Sequence, residues 1–313
     1  MRAAVITEGR LEIAERPDPA PGPREVRVHV QAAGLNAADL LQVAGHYPAP
    51  ADWPPDIPGL ELAGTVDATG PGAESWLGRR VCAIVGGGGH ATSALVPAAH
   101  LLAVPEGVDL RAAGAFAEAF VTAHDALVSQ AGLRSGERLV VTGAAGGVGT
   151  AAVQIGAMLG AHTIAVTRTR AHHDALRDLG AAEAILTEEL ADIAPVDVVL
   201  ELVGAATAAT SLHRLGPHGR LVVIGVGGGS RLEVDLLAVM QRRLRLTGST
   251  LRSRSPDEKA RAIAAAATDL GDRWSRGGLR VPVAEGYPLT EVARAYEAFG
   301  RSGRFGHIVL EMP

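Results

Sequence analysis

Val26, Val28 and Val30 alternate with Arg27, His29 and Gln31, a period of two that predicts a strand with one buried face. Pro17, Pro19, Pro21, Gly22 and Pro23 precede it, and a second run of punctuation extends from Pro48 to Pro58. A short helix is predicted between them, over Ala37–Val43. Leu62–Ala68 and Arg79–Val85 predict further strands, the second running into Gly86–Gly89. The first hundred or so residues therefore read as a small twisted β structure with Pro- and Gly-bounded loops.

From Arg111 to Ala131 the period becomes helical, with Phe116, Phe120, Ala123 and Leu127 on one stripe. Strands and helices then alternate. Strands are predicted at Arg138–Thr142, His162–Thr167, Ala184–Leu186, Val196–Leu202, Arg220–Val226 and Arg245–Thr250. Helices are predicted from Gly149, and at Ala171–Leu179, Ala206–Leu215 and Leu236–Arg243. This alternation predicts an α/β domain with a doubly wound parallel sheet. A helical run at Lys259–Trp274 and a short apolar strand at Gly306–Leu310 fall outside the repeat. That tail is expected to fold back onto the first domain.

The chemistry begins where the β-branched run Leu139–Val141 enters Gly143-Ala144-Ala145-Gly146-Gly147-Val148-Gly149. The strand-before, helix-after context fits a dinucleotide pyrophosphate, which needs small residues for close approach and free N–H groups at a helix start. Against G-x-G-x-x-G the first position is Ala144, and the other two are Gly146 and Gly149. The next predicted strand ends in Thr167-Arg168-Thr169-Arg170, where NAD-binding chains usually place an acid for the ribose hydroxyl. Guanidinium and hydroxyl groups there, with His172 adding a contact, suit a 2′-phosphate, so the expected cofactor is NADPH.

Composition narrows the classes. A net charge of −5 over 313 residues offers no basic field for nucleic acid. The single cysteine, Cys82, excludes internal disulfides and multi-thiolate metal sites, and reads as a buried strand residue. Met1–Ile6 reads as a strand rather than a leader, and no run reaches the length of a membrane span. A cytoplasmic, soluble protein is expected, with neither membrane nor nucleic-acid partners.

Several stretches together resemble one family. They are Ala33–Leu40, Gly45-His46-Tyr47-Pro48, Pro58–Gly64, Ala144–Gly149, Gly248–Arg254 and Gly306–Leu310. The chain resembles, along its whole length, the zinc-independent quinone oxidoreductase (zeta-crystallin-like) branch of the medium-chain dehydrogenase/reductase superfamily. The resemblance implies a GroES-like catalytic domain over residues 1–118 and a Rossmann domain over 119–254. It implies a C-terminal return over 255–313, a cleft between the domains, and usually a homodimer. Zinc-containing relatives carry Cys near Asn36, His where Leu60 stands, and a four-cysteine lobe. None of these is present here, so no metal is expected.

The resemblance implies site residues too. Tyr47 matches a substrate-facing tyrosine that can donate a proton, and reads equally as aromatic packing on a Pro-rich loop. Asn36 matches a residue near the nicotinamide, and reads equally as an Asx turn before a helix. Expected cofactor residues are Thr122, Ala144, Ala145, Gly146, Gly147, Val148, Gly149, Thr167, Arg168, Thr169 and His172. Val203, Gly204, Ile224, Gly225, Leu251 and Arg252 complete the set. Arg242, Arg243 and Arg245 read as a solvated face.

Three departures stand out: Glu201 where Asp is common, His172 for Lys, and extra glycine in Val85–His90. The expected reaction is hydride transfer from NADPH to a small quinone or related enone. The alternatives are an enoyl-thioester or enone reductase of a biosynthetic pathway, and a non-catalytic NADPH-binding protein.

Overall fold

The computed structural model describes the whole chain, Met1–Pro313. In order, β1 (Arg2–Thr7), β2 (Arg10–Glu15), β3 (Glu25–Gly34), α1 (Ala37–Val43), β4 (Glu61–Thr69), β5 (Arg80–Ile84), β6 (Ser93–Pro97), β7 (Leu101–Ala103) and α2 (Leu110–Ala113) come first. Next are α3 (Ala117–His124), β8 (Arg138–Val141), α4 (Gly147–Met158), β9 (His162–Thr167), α5 (His173–Asp178), β10 (Glu183–Leu186), β11 (Val196–Glu201), α6 (Ala205–Arg214), β12 (Leu215–Val223), α7 (Leu236–Arg242) and β13 (Arg245–Gly248). The chain closes with α8 (Pro256–Ser275), β14 (Val283–Pro288), α9 (Val292–Gly300) and β15 (His307–Glu311). It forms two compact units, Met1–Glu118 with Arg252–Pro313, and Ala119–Leu251.

The first unit is built on a seven-stranded sheet in the order β14-β15-β3-β4-β5-β7, with β6 also paired to β3. The alternation seen in sequence is realised: Val26, Val28 and Val30 are fully buried while His29 and Gln31 face solvent. Their inward face packs on Leu62, Val66, Val81, Ala83 and Val96. Each such side chain removed from water contributes about 1.5–3 kcal/mol. The C-terminal strand β15 joins this sheet, Val309 opposite Gly34 and Leu310 opposite Ala33 in antiparallel register.

The second unit holds a six-stranded sheet in the order β10-β9-β8-β11-β12-β13, every pair parallel. Counted from β8, that order is 3-2-1-4-5-6, the doubly wound arrangement in which strand order reverses between the first and fourth strands. Val140, Ile164, Val199 and Leu221, all fully buried, form its core. The helical stripe Phe116, Phe120, Ala123 and Leu127 is buried as the pattern predicted, though not on one continuous helix. The chain breaks between α2 and α3, and α3 widens into a π turn over Asp125–Gln130.

Candidate functional site

In an open α/β sheet the crevice for a ligand lies beyond the carboxyl ends of the strands flanking the reversal, here β8 and β11. Beyond β8, Gly143 adopts φ +60°, a left-handed conformation that a side chain disfavours. It supplies the tight turn that the fingerprint assigns to its first glycine, which explains why Ala is tolerated at position 144. Ala144 N donates to Val166 O at 3.0 Å, tying the turn to β9. Gly146 caps α4, which begins at Gly147, two residues before the predicted start.

A Cβ on Gly149 would fall 2.5 Å from Gly143 O and 2.6 Å from Ala144 Cα, both backbone atoms. Gly149 is therefore required by close helix–turn packing. A Cβ on Gly146 would meet only Gly143 O, at 3.5 Å, so that side of the turn is open. No side chain caps α4, and its first turn carries no acid. Its leading N–H groups, from Gly147, Val148 and Gly149, are left for an anion. Ala144, Ala145 and Gly146 form the approach, so the turn fits a dinucleotide pyrophosphate.

On the β11 side stands Glu201, fully buried. Its Oε1 accepts from the Thr142 and Thr207 hydroxyls, both at 2.7 Å, and from the backbone N–H groups of Val203 and Gly204, both at 2.9 Å. A buried carboxylate is tolerable only when saturated in this way. The longer side chain noted in the sequence thus fixes the loop holding Val203 and Gly204 against the end of β8. Glycines are demanded here by packing: a Cβ on Gly204 would meet Gly229 O at 2.5 Å, and one on Gly225 would meet Leu202 O at 2.1 Å. Ile224 N donates to Glu201 O at 2.9 Å, which aligns the end of β12 beside the same loop.

At the end of β9, Thr167 is buried and Arg168 exposed. Thr169 caps the following turn, its hydroxyl accepting from Ala171 N at 3.3 Å. The two guanidiniums differ: Arg170 pairs with Glu189 at 2.6 Å, whereas Arg168 has no ion-pair or hydrogen-bond partner. His172 lies half-buried in the same turn. Thr122, on α3, has its hydroxyl oxygen buried without a hydrogen-bond partner, and Leu251 is buried at the unit's last position.

In the first unit, Asn36 begins α1. Its N–H donates to Asp39 Oδ2 at 2.7 Å, and its side-chain amide donates to Glu61 Oε1 at 2.9 Å. Glu61 also accepts from Glu118 N at 3.0 Å, and Asp39 from Gly59 N at 3.1 Å. Both carboxyls are fully buried, and burial lifts Asp39 to about 7 and Glu61 to about 8 against these donors. Both acids lie within the stretches that carry the family resemblance, and nothing in their local pattern marks them as buried except that Glu61 opens an otherwise apolar strand.

Tyr47 lies half-buried with the Arg252 guanidinium 4.9 Å from its ring centre. Arg252 is 5% exposed; it donates to Tyr47 O at 2.9 Å, to Gly86 O at 2.7 and 3.0 Å, and to Gln42 Oε1. The Arg252 guanidinium thus fastens three segments of its own unit together. Arg242 likewise is not simply solvated, since it donates to His213 O at 3.2 Å and Leu215 O at 2.9 Å at the end of α6. No hydrogen bond joins Asn36 to Tyr47. No group of three or more His, Cys, Asp or Glu side chains converges as a metal site would require, and Cys82 is buried in β5. No helix is long and apolar enough to cross a membrane.

Comparison with known proteins adds to this geometry. Residues 22–131 match the family described as alcohol dehydrogenase GroES-like domain, and residues 147–268 match zinc-binding dehydrogenase. A quinone oxidoreductase of Pseudomonas aeruginosa is 33% identical over 313 residues, covering 96% of this chain and 95% of that protein. A mycocerosic acid synthase-like polyketide synthase of Mycobacterium tuberculosis is 31% identical over 330 residues, and the chain spans only 15% of its length. The solved quinone oxidoreductase of Thermus thermophilus, also described in complex with NADPH, superposes with a TM-score of 0.87 at 34% identity. That match covers 99% of this chain and all of the other.

Proposed function

This chain belongs to the quinone-oxidoreductase-like branch of the medium-chain dehydrogenase/reductase superfamily, an oxidoreductase of nicotinamide cofactors, and on that premise we propose that it is an NADPH-dependent, zinc-independent reductase of quinones or related conjugated carbonyls. The observation that carries the cofactor choice is Arg168, exposed and unpaired at the end of β9, where the sequence Thr167–Arg170 places no acid and the nearby Glu189 is paired with Arg170. A guanidinium there binds a 2′-phosphate through charge-assisted hydrogen bonds. The uncapped start of α4 receives the pyrophosphate, Thr122 offers its unpartnered hydroxyl to the same ligand, and the Glu201-braced loop lines its edge.

The cofactor, when bound, supplies hydride. The chain's own part is to bind, orient and balance charge. A quinone or enone takes hydride at carbon, so the oxyanion developing at its oxygen needs only a hydrogen-bond donor or water. Zinc independence rests on residue types: Asn36 and Leu60 occupy two zinc-ligand positions of the zinc-containing relatives, and Asn36 is committed to Glu61. Tyr47 is the proposed donor to the acceptor oxygen, its ring positioned over Arg252. A homodimer is the assembly expected from the family.

The polyketide synthase relative favours a second reading, enoyl-thioester reduction. Comparing kcat/KM for a naphthoquinone and crotonyl-CoA separates the two. A higher value for the quinone supports the proposal, and a higher value for the thioester transfers the reading to its alternative.

A further inference from the structure

A cavity of about 690 Å³ lies wholly within the first unit, walled by Trp53, Pro54, Ile57, Ala94 and Pro97. That volume falls within the range of small-molecule sites, roughly 300–1,000 Å³. Its polar lining includes Lys259, in the first turns of α8. Lys259 is the only lysine in the chain, and every other one of the 29 basic residues is arginine. Arginine thus serves every surface position that needs a cation. The compact ammonium appears once, 2% exposed.

Lys259 has no hydrogen-bond acceptor and no ion-pair partner. The Trp53 ring centre is 5.8 Å away, the Glu118 carboxylate attracts it through space, and Arg252 repels it. Burial draws its pKa below the ordinary value. The other charged groups lining the cavity are occupied or solvated. Arg252 is bound to Gly86, Tyr47 and Gln42, Glu25 accepts from Gly22 N at 2.8 Å, and Asp52 is exposed. Arg254 also has a partner.

His100 lines the same cavity and is 2% exposed. Its Nε2 meets Pro256 O at 3.1 Å, and since a carbonyl only accepts, Nε2 carries the proton. Nδ1 is left buried with no partner. An apolar cavity therefore contains a buried cation lacking an acceptor beside a buried ring nitrogen lacking a donor. An ammonium with no acceptor that faces an enclosed cavity is best satisfied by an anion, so Lys259 points to an anionic ligand, while His100 Nδ1 needs a donor that an oxyanion does not supply.

We propose that this cavity binds a small apolar molecule bearing one oxyanion, a carboxylate or phosphate, which pairs with Lys259. The proposal is independent of the reductase reading, because its test reads binding and not turnover.

One lysine means one lysine signal. Full-length wild-type protein labelled with ¹³Cε-lysine is titrated with 2-naphthoate, 2-naphthyl phosphate and the neutral 2-naphthylmethanol, with affinities from calorimetry. The expected result is a saturable shift of the single resonance at one ligand per chain, with at least about tenfold weaker binding of the alcohol. The tighter of the two anions identifies the carboxylate or the phosphate as the preferred group. Lys259→Met should abolish the preference for the anion while leaving binding of the alcohol within about threefold. An unmoved resonance with both anions, or equal affinity for acid and alcohol, overturns the proposal on the wild-type protein alone.

Discussion

The side-chain amide of Asn36 donates to Glu61 Oε1 at 2.9 Å, so a candidate catalytic residue is held by a fully buried carboxyl. Burial raises Glu61 from its ordinary 4.5 to about 8. The folded state therefore binds this proton more tightly than the unfolded chain does. The contribution is fully present below about pH 4.5 and is lost as pH rises through about 8, and Asp39, raised to about 7, acts in the same direction. Thermal melts between pH 5 and 9 should show stability falling, with a Glu61 share on the order of 3 kcal/mol. Glu61→Gln should cost roughly 1 kcal/mol at low pH and flatten the decline. A parallel decline in the variant would remove Glu61 as its source.

Glu201 satisfies four donors through one oxygen, so its loss leaves the Val203 and Gly204 N–H groups unpaired and the two threonine hydroxyls with only their longer contacts to Leu200 O and Gly204 O. Glu201→Ala should destabilise the protein by about 3 kcal/mol or more. Glu201→Gln, which keeps one oxygen, should be milder and still weaken dinucleotide binding by loosening the Val203–Gly204 loop. Melting temperature and calorimetric affinity, measured together, check both.

Gly149→Ala forces a Cβ against Gly143 O and Ala144 Cα, backbone that cannot swing aside. The expected cost is about 2 kcal/mol or more, together with loss of dinucleotide binding. Gly146→Ala, where only an ordinary contact at 3.5 Å arises within the protein, should fold normally and lose affinity through its encroachment on the phosphates. Far-ultraviolet dichroism and dinucleotide titration of the pair distinguish packing from ligand approach.

Arg252→Lys keeps the charge but cannot reach Gly86, Tyr47 and Gln42 together. The variant should lose about 2 kcal/mol of stability, with turnover falling further than dinucleotide affinity. Equal losses in both would place Arg252 in dinucleotide binding as well as in bracing this unit.

The doubly wound parallel sheet, the Gly-rich turn and most of the strands were legible because hydrophobic periodicity and glycine placement are local signals, whereas the short strands β2, β6, β7 and β14 and the early start of β12 at Leu215 were not. Gly143 as the true turn residue was not, since only its φ distinguishes it from the glycines that follow. Glu61, Asp39 and Arg252 were also obscured, because their partners lie 25, 20 and 166 residues away. Periodicity carries no information about such pairings. The difference between Arg168 and Arg170 depended on Glu189, whose approach to this turn a linear reading cannot supply.

The most direct test of the central claim follows nicotinamide oxidation by the wild-type chain with naphthoquinone as acceptor, NADPH against NADH, beside Arg168→Ala. Turnover is expected, with kcat/KM at least about tenfold higher for NADPH. Arg168→Ala should erase that preference by weakening NADPH alone. Equal losses with both cofactors would contradict the 2′-phosphate assignment, and no oxidation with any quinone, enone or crotonyl thioester would contradict the reductase itself.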